Sequence, residues 1–558
     1  MAKSKSRFCC FLCLALLCVI SIVVVCIAVF ANRRCPEGEF KRAAVAADSQ
    51  TCSEIGRDML LQGGSAADAA IAALLCTSLV NPQSMGLGGG AIFTILEKSG
   101  QAKVINARET VPKMHRPNLL KDCPETFKPI IGSQWIGIPG EIRAYELVHS
   151  RYGRLPWAKL FEPSIRLARE GFPCPPALSR YLQHHLFKPL VEGSRLCEVF
   201  CNGNKTALKL GEILKYPQLA ETMETIAKEG ADAFYKGKIA RNLIQDVQAA
   251  GGTLVMEDLE SFQAKVTDAW TVPLGDYMMY IPPPPAGGAI LGFILNVMKG
   301  FNLTPSSIED DKKVLTFHRY VEASKFANGQ KHNIRDPSFN PGKDASWLIK
   351  DAFADHIRKM ISSDATHELP YYNVTPSPDH FGTTHVSVLA EDGTAVSVTS
   401  TINHIFGSTV YSPKTGIILN NELADFCGKA LTISAGEQPP SSMAPAVLLS
   451  PSRKKTLVVG GSGGSLITTA MALSIINHLW LGKALNESIA APVVFVDSKN
   501  TLQFESGFDE SVKEKLKQMG HSVENLKFPL NVVNSVSKEG HCISAVSDKR
   551  KLGKAAGY

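Results

Sequence analysis

Residues 382–403 read GTTHVSVLAEDGTAVSVTSTIN, and their pattern points to the architecture. Thr384 to Ala390 and Thr394 to Thr401 alternate polar with apolar side chains on either side of Glu391-Asp392-Gly393. A period of two is that of a β-strand with two different faces, and Asp-Gly between two such runs is a tight hairpin turn. Gly382 and Thr383 open the first strand. A threonine there is ordinarily a β-former and nothing more. A chain cut just before it would join the Thr383 hydroxyl, a nucleophile, to its own α-amine as base.

Outward from the hairpin, strands and helices mix. TGIILN at 415–420 reads as a strand, and TLVVG at 456–460 runs through a glycine cluster into the apolar helix LITTAMALSIINHLWL. Short strands are expected around 493–505 and 541–546, with a helix near 509–519. Upstream, Ser65-Ala66-Ala67-Asp68 is a capping box that opens an alanine-rich helix after Gly63-Gly64. Further helices are expected near 158–170, 217–229, 235–250 and 289–299, the last three ended by glycines. Pro282 to Pro285 lead straight into an apolar helix and read as a rigid corner rather than a polyproline ligand. Regular βαβ alternation is missing, so the expected class is α+β, with sheets held between helical layers.

The 558-residue chain is 45% hydrophobic and 20% charged, a folding composition that excludes a disordered tail. Its formal charge of +7 is mild for the length and carries no long basic run, so nucleic acid is not an expected partner. From Phe8 to Ala31 the chain is uncharged, about 36 Å as a helix and enough to cross a bilayer core. A signal peptide's apolar region is shorter, so the expectation is an uncleaved anchor (8–31) after a cytoplasmic tail (1–7). Lys3, Lys5 and Arg7 before the span orient everything after Asn32 outward, as a single-pass type II cell-membrane protein. Of 14 cysteines, Cys35, Cys52, Cys76, Cys123, Cys174, Cys197, Cys201, Cys427 and Cys542 lie beyond the anchor. No CxxC pair occurs, and in an oxidising compartment some should pair and at least one stay free or join another chain. Sequons at Asn204, Asn302, Asn373 and Asn486 suit the same compartment.

Two glycine clusters invite chemical readings. Gly86 to Ala91 fits G-x-G-x-x-A, but it follows a helix and precedes a strand, the reverse of a dinucleotide loop. Gly460-Gly461-Ser462-Gly463-Gly464 fits G-x-S-x-G between a strand and a helix, the setting of a serine nucleophile elbow. A Ser462 hydrolase would then draw its histidine from His478, His521 or His541. Alternatively, the backbone N–H groups of this loop form an anion or oxyanion site and Ser462 is merely small. No metal-ligand spacing occurs, and neither a metal nor a cofactor is expected.

Asn106-Ala107-Arg108-Glu109, Gly382-Thr383-Thr384-His385, Ser400-Thr401-Ile402-Asn403, Asn420 to Phe426, Ser441-Ser442-Met443 and Gly460 to Gly464, in that order, resemble the γ-glutamyltransferases. The resemblance runs from about Ala43 to Tyr558. VNPQSMGLGGG, NARETVP, QWIGIPGE and PPPPAGGAILGFILNV are most similar to the leukotrienase branch of that family.

The resemblance implies an N-terminal-nucleophile hydrolase with an αββα sandwich, made as a proenzyme. It would cut itself between Gly382 and Thr383 into a large chain (32–382 of the extracellular part) and a small chain (383–558). It further implies Thr383 as nucleophile, Thr401 as the threonine bonded to it, and Gly463 and Gly464 as oxyanion donors. Arg108, Ser441 and Ser442 match a clamp for the substrate α-carboxylate, and Asn403, Glu422 and Asp425 match the ammonium site. Cys52–Cys76 and Cys197–Cys201 would be disulfides. Implied substrates are glutathione and glutathione S-conjugates such as leukotriene C4, with water or an amino acid or dipeptide as acceptor. Ile405 stands where relatives that hydrolyse glutathione carry a lid tyrosine, so a wider, apolar mouth is expected. The Ser462 hydrolase and a catalytically inactive surface glycoprotein remain the alternatives.

Overall fold

The hairpin lies at the heart of two seven-stranded sheets packed face to face. In chain order the strands are β1 (Glu39–Phe40), β2 (Ala44–Ala46), β3 (Gly90–Leu96), β4 (Ala102–Ala107), β5 (Lys265–Asp268), β6 (Trp270–Leu274) and β7 (Tyr277–Ile281). They continue with β8 (Thr384–Leu389), β9 (Ala395–Thr401), β10 (Ala446–Leu449), β11 (Lys455–Ser462), β12 (Val532–Glu539), β13 (Cys542–Val546) and β14 (Ala556–Gly557). The first sheet runs β14-β2-β8-β9-β3-β4-β5 and the second β1-β13-β12-β11-β10-β7-β6. The computed structural model describes residues 35–36, 38–124, 128–342, 344–375, 382–526 and 532–558, with 16 and 19–21. The expected tail at 1–7 and most of the expected anchor at 8–31 lie outside these. Among the described residues no helix is long and apolar enough to cross a membrane.

Strands β8 and β9 pair antiparallel with Thr384 opposite Ser400 and Leu389 opposite Ala395. Both are buried along their whole length, so neither face of the alternation is solvated. Val386, Val388, Val396 and Val398 join the core under the first helical layer. The polar set turns toward the second sheet. There Ser387 Oγ donates to Val458 O and Asn534 O at 3.3 and 3.2 Å, and Ser397 Oγ to Val459 O at 3.0 Å. Hydroxyls bonded across the sheets satisfy the rule that buried polar groups find partners. A smaller apolar patch including Ala44, Leu96, Leu389, Val447, Val458 and Ile543 fills the rest of that interface.

Helices α1 (Gln50–Leu61), α2 (Ala66–Val80), α3 (Glu141–Tyr152) and α4 (Trp157–Glu170) form the layer on the first sheet. Helices α5 (Gly288–Lys299), α6 (Lys312–Gln330) and α7 (Ile467–Leu479) form the layer on the second. The order of layers is αββα. Helix α2 starts at the capping box read from the sequence, Ser65 Oγ accepting from Asp68 N and Asp68 accepting from Ser65 N. Every residue of α2 is buried, because its alanines let the sheet and the outer helices approach from all sides. Pro282 to Pro285 turn β7 into α5, as the corner reading requires.

Three expectations shift. The helix at 235–250 breaks into Asp232–Tyr235 and Lys238–Ala249 at Gly237, whose backbone is extended. The strand at 415–420 shrinks to Ile417–Ile418. Strand β12 runs through the middle of the second sheet, although its polar residues gave no strand signal.

Among the described residues four disulfides form: Cys52–Cys76, Cys197–Cys201, Cys35–Cys542 and Cys123–Cys427. Cys174 is free and buried, its thiol pushed up to about 11 chiefly by burial. Asn204, Asn302, Asn373 and Asn486 are all exposed.

Candidate active site

Gly382 and Thr383 enter β8 from its buried end, where the register brings Thr401, the last residue of β9, alongside. Thr383 is 3% exposed. Its Oγ1 donates to the Gly382 carbonyl, the acyl group on its own amide nitrogen. Thr401 Oγ1 donates to the same oxygen at 3.2 Å and accepts from Asn403 N at 2.7 Å. Two hydroxyls therefore converge on one peptide carbonyl. Gly382 has φ +143°, and a Cβ there would stand 2.3 Å from Asn403 O, so only glycine fits this position.

The glycine run before β3 lets the backbone close on the site. A Cβ on Gly89 would meet Thr401 O at 2.0 Å, which explains the cluster without any nucleotide. Asn420 pins the facing segment through Nδ2 to Gly88 O at 2.7 Å and to Gly137 O at 2.9 Å.

Beside Thr383 the cavity is walled by Arg108, Asn403, Glu422, Asp425, Ser441 and Ser442. Asn403 has φ +73° and donates from Nδ2 to Asn421 O at 3.1 Å. Glu422 and Asp425 project from one short turn, Glu422–Phe426, which Cys427 ties to Cys123. The Arg108 guanidinium, 1% exposed, donates to Pro439 O at 3.2 Å and Pro440 O at 3.1 Å, and pairs with both Glu422 and Asp425. The sequence reading set Arg108 and the acids at opposite ends of a bound zwitterion. In the structure they touch, because a buried guanidinium takes the nearest carboxylates as counter-ions.

Glu109, which the sequence reading passed over, adds a third carboxyl 3.9 Å from Arg108. Burial pushes it up to about 8, against the pull of Arg108. Burial likewise holds Glu422 well above the ordinary carboxylate range, again opposed by Arg108. Three carboxyls crowd one guanidinium, and two of them are held toward the protonated form; a ligand that brings an ammonium group would let them ionise.

Gly463 and Gly464, with φ of +125° and +56°, turn β11 into α7, and Gly464 borders the cavity together with Thr383. Ser462 is fully buried, and its Oγ accepts from Lys551 Nζ at 2.9 Å. None of the three histidines proposed for it is a partner. His521 bonds to His318 at 2.9 Å and His478 to Lys483 O at 3.1 Å, while His541 is exposed at the surface. The serine-elbow alternative fails for that reason.

Ile405 also departs from expectation. It is 5% exposed and packed in the main core. Positive φ at Asn403, Phe406 and Gly407 curls the segment inward, so Ile405 does not border the cavity.

Lys551 is the second residue that sequence reasoning missed. Its Nζ donates to Thr383 O at 2.5 Å and to Asp48 Oδ2 at 2.7 Å, besides Ser462. Asp48 also accepts from Thr384 Oγ1 at 2.5 Å and Asn534 Nδ2 at 2.7 Å. A lysine near the C-terminus carries no local signal for such a role.

His318, Glu322 and His521 stand close enough to hold a metal. Both ring nitrogens of His521 are already bonded, however, Nδ1 to Lys325 Nζ and Nε2 to His318 Nδ1, each at 2.9 Å, and Lys325 Nζ also lies 3.6 Å from Glu322.

A family model described as Gamma-glutamyltranspeptidase matches residues 52–558. The chain is 49% identical to the glutathione hydrolase 5 proenzyme of Rattus norvegicus, over 94% of each chain. It is 48% identical to the protein of the same name in Homo sapiens, again over 94% of each. In fold it is similar to the crystal structure of cephalosporin acylase from Bacillus halodurans, with a TM-score of 0.84 over 94% of this chain and 97% of that one; at 23% identity this is a likeness of fold alone.

Proposed function

The chain belongs to the γ-glutamyltranspeptidase family, and from that premise we propose that Thr383 is both the agent of self-cleavage and the nucleophile of γ-glutamyl hydrolysis and transfer. The observation that carries the reading is the Thr383 hydroxyl against the Gly382 carbonyl, with Thr401 bonded to the same oxygen. Thr383 Oγ attacks the Gly382 carbonyl carbon, and the C–N bond breaks as the acyl group moves to oxygen. Water then hydrolyses the ester, leaving a Gly382 carboxylate and a free Thr383 α-amine.

In the mature enzyme the α-amine takes the hydroxyl proton as Oγ attacks the γ-carbonyl of the substrate. The substrate C–N bond then breaks, its nitrogen taking that proton back from the Thr383 ammonium and departing as the free amine, and water or an acceptor amine releases the γ-glutamyl group from Thr383 Oγ. Gly463 and Gly464 are assigned to the oxyanion. Arg108, Ser441 and Ser442 are assigned to the α-carboxylate; Asn403, Glu422 and Asp425 take the α-ammonium. On this reading the arriving substrate exchanges its own charges for the Arg108–acid pairs.

Thr383→Ala should remain one polypeptide on reducing gels and release no γ-glutamyl product, whereas Ser462→Ala should keep processing and some turnover. Two chains from Thr383→Ala would overturn the autocatalytic reading. The substrate class is glutathione and its S-conjugates, including leukotriene C4. Its support is the resemblance, since Ile405 no longer provides a lid argument. Comparing kcat/KM for leukotriene C4 and glutathione tests it, and a preference for free glutathione would remove the conjugate assignment.

The uncharged run from Phe8 to Ala31 and the four exposed sequons support a glycosylated, type II cell-surface enzyme. Replacing residues 1–31 by a cleavable signal should yield a secreted, active form. Native protein released with Asn32 at its N-terminus would contradict the anchor.

A further inference from the structure

We propose that Lys429 and Lys331 receive the carboxylate of the leaving group, which for glutathione and its S-conjugates is the C-terminal carboxylate of the cysteinylglycine portion. The proposal rests on the γ-glutamyl reading above. Lys429 and Ser442 belong to the wall of the cavity that holds Thr383 and Arg108. A second, open hollow shares that wall and is completed by Lys331, Ile290 and Ile334.

A glutamyl group anchored at Arg108, with its γ-carbonyl on Thr383, fills the first cavity. Whatever is attached to its amide nitrogen continues into adjoining space. Lys429 and Lys331 are both half-buried there. The neighbouring Arg335 donates to the Lys429 carbonyl at 3.4 Å, but its own charge is taken by Glu437 at 2.6 Å. Lys429 takes part in none of the ion pairs among the described residues. The half-buried Lys429 ammonium favours an anion, and Lys331 adds positive charge to the same hollow. Beyond the glutamyl head, the anion fixed in every glutathione conjugate is the glycine carboxylate. Ile290 and Ile334 beside it offer apolar contact to a substituent on the cysteine sulfur.

The experiment compares kcat/KM for glutathione, for glutathione with its glycine carboxylate amidated, and for γ-glutamyl-p-nitroanilide, whose leaving group has no carboxylate. Lys429→Met and Lys331→Met should each lower the glutathione-to-nitroanilide ratio about three- to tenfold, mainly through KM. Lys429→Glu should lower it further, and Lys429→Arg should restore it. With the amidated peptide, wild type and variants should give the same ratio. Equal losses on all substrates, or an unchanged ratio for glutathione, would overturn the inference. A wild-type enzyme that releases no p-nitroaniline would instead overturn the γ-glutamyl reading beneath it.

Discussion

Lys551 touches the residue that carries the proposed chemistry without being able to take part in bond-making, because its ammonium reaches the Thr383 carbonyl oxygen rather than the hydroxyl. It holds the peptide that follows the nucleophile and at the same time neutralises Asp48 inside the protein. Removing it leaves a buried carboxylate without its cation, which costs roughly 3–5 kcal/mol. Lys551→Met should therefore fold poorly, whereas the double variant Asp48→Asn/Lys551→Met should recover thermal stability. If positioning is the role of Lys551, the double variant stays slow in processing and low in kcat, with KM little changed. Full recovery of kcat would reduce Lys551 to a counter-ion. Ser462 belongs to the same cluster, so the G-x-S-x-G pattern describes a hydrogen-bonding partner of Lys551 rather than a nucleophile.

Elements meet at the site through a few buried contacts that can be tested singly. Glu141, in the first turn of α3, accepts from Tyr145 OH at 2.5 Å and from Ser400 Oγ, on β9, at 2.9 Å. Burial nonetheless pushes its carboxyl up to about 8. The folded state thus holds a proton that the unfolded chain, with an ordinary carboxyl near 4.3, releases. From about pH 4.3 to 8 the unfolded state binds fewer protons, so this group's contribution to stability falls as pH rises and levels off above 8. Glu141→Gln should gain thermal stability relative to wild type between pH 5 and pH 8; a constant difference in Tm across that range would contradict the shift. At the acidic turn, Cys427 follows Phe426 directly and is bonded to Cys123. Cys123→Ser/Cys427→Ser should loosen Glu422 and Asp425, raising KM for γ-glutamyl substrates several-fold while processing continues. An unchanged KM would show that the turn is held by Arg108 alone.

Across the whole molecule, the proposed cut between Gly382 and Thr383 does not fall between separable domains. The first sheet takes β2 to β5 from before it and β8, β9 and β14 from after it, while the second interleaves β1, β6 and β7 with β10 to β13. Two disulfides, Cys35–Cys542 and Cys123–Cys427, also bridge the cut. The processed protein should therefore run as one band on a denaturing gel without reductant and as two with it. Two bands without reductant would mean that these cysteines do not cross-link the chains. In the uncut precursor each bridge closes a long loop, and removing one there should cost about 2–4 kcal/mol.

Local pattern by itself determined the hairpin, the capped alanine helix, the proline corner and the sheet-between-helices class, because each follows from periodicity and turn chemistry within a few residues. The spaced motifs carried the family. The tertiary structure decided what those motifs touch. The polar face of the hairpin is buried because a second sheet supplies its acceptors, which no local alternation reveals. Strand β12 is central because its neighbours pair with it, despite a polar sequence. Ile405 went to the core and Ser462 to Lys551 because a residue's role depends on which distant backbone passes beside it. Asp48, Glu109, Lys429 and Lys551 entered the account the same way: their partners lie far along the chain, and contacts between such distant positions exist only once the chain has folded.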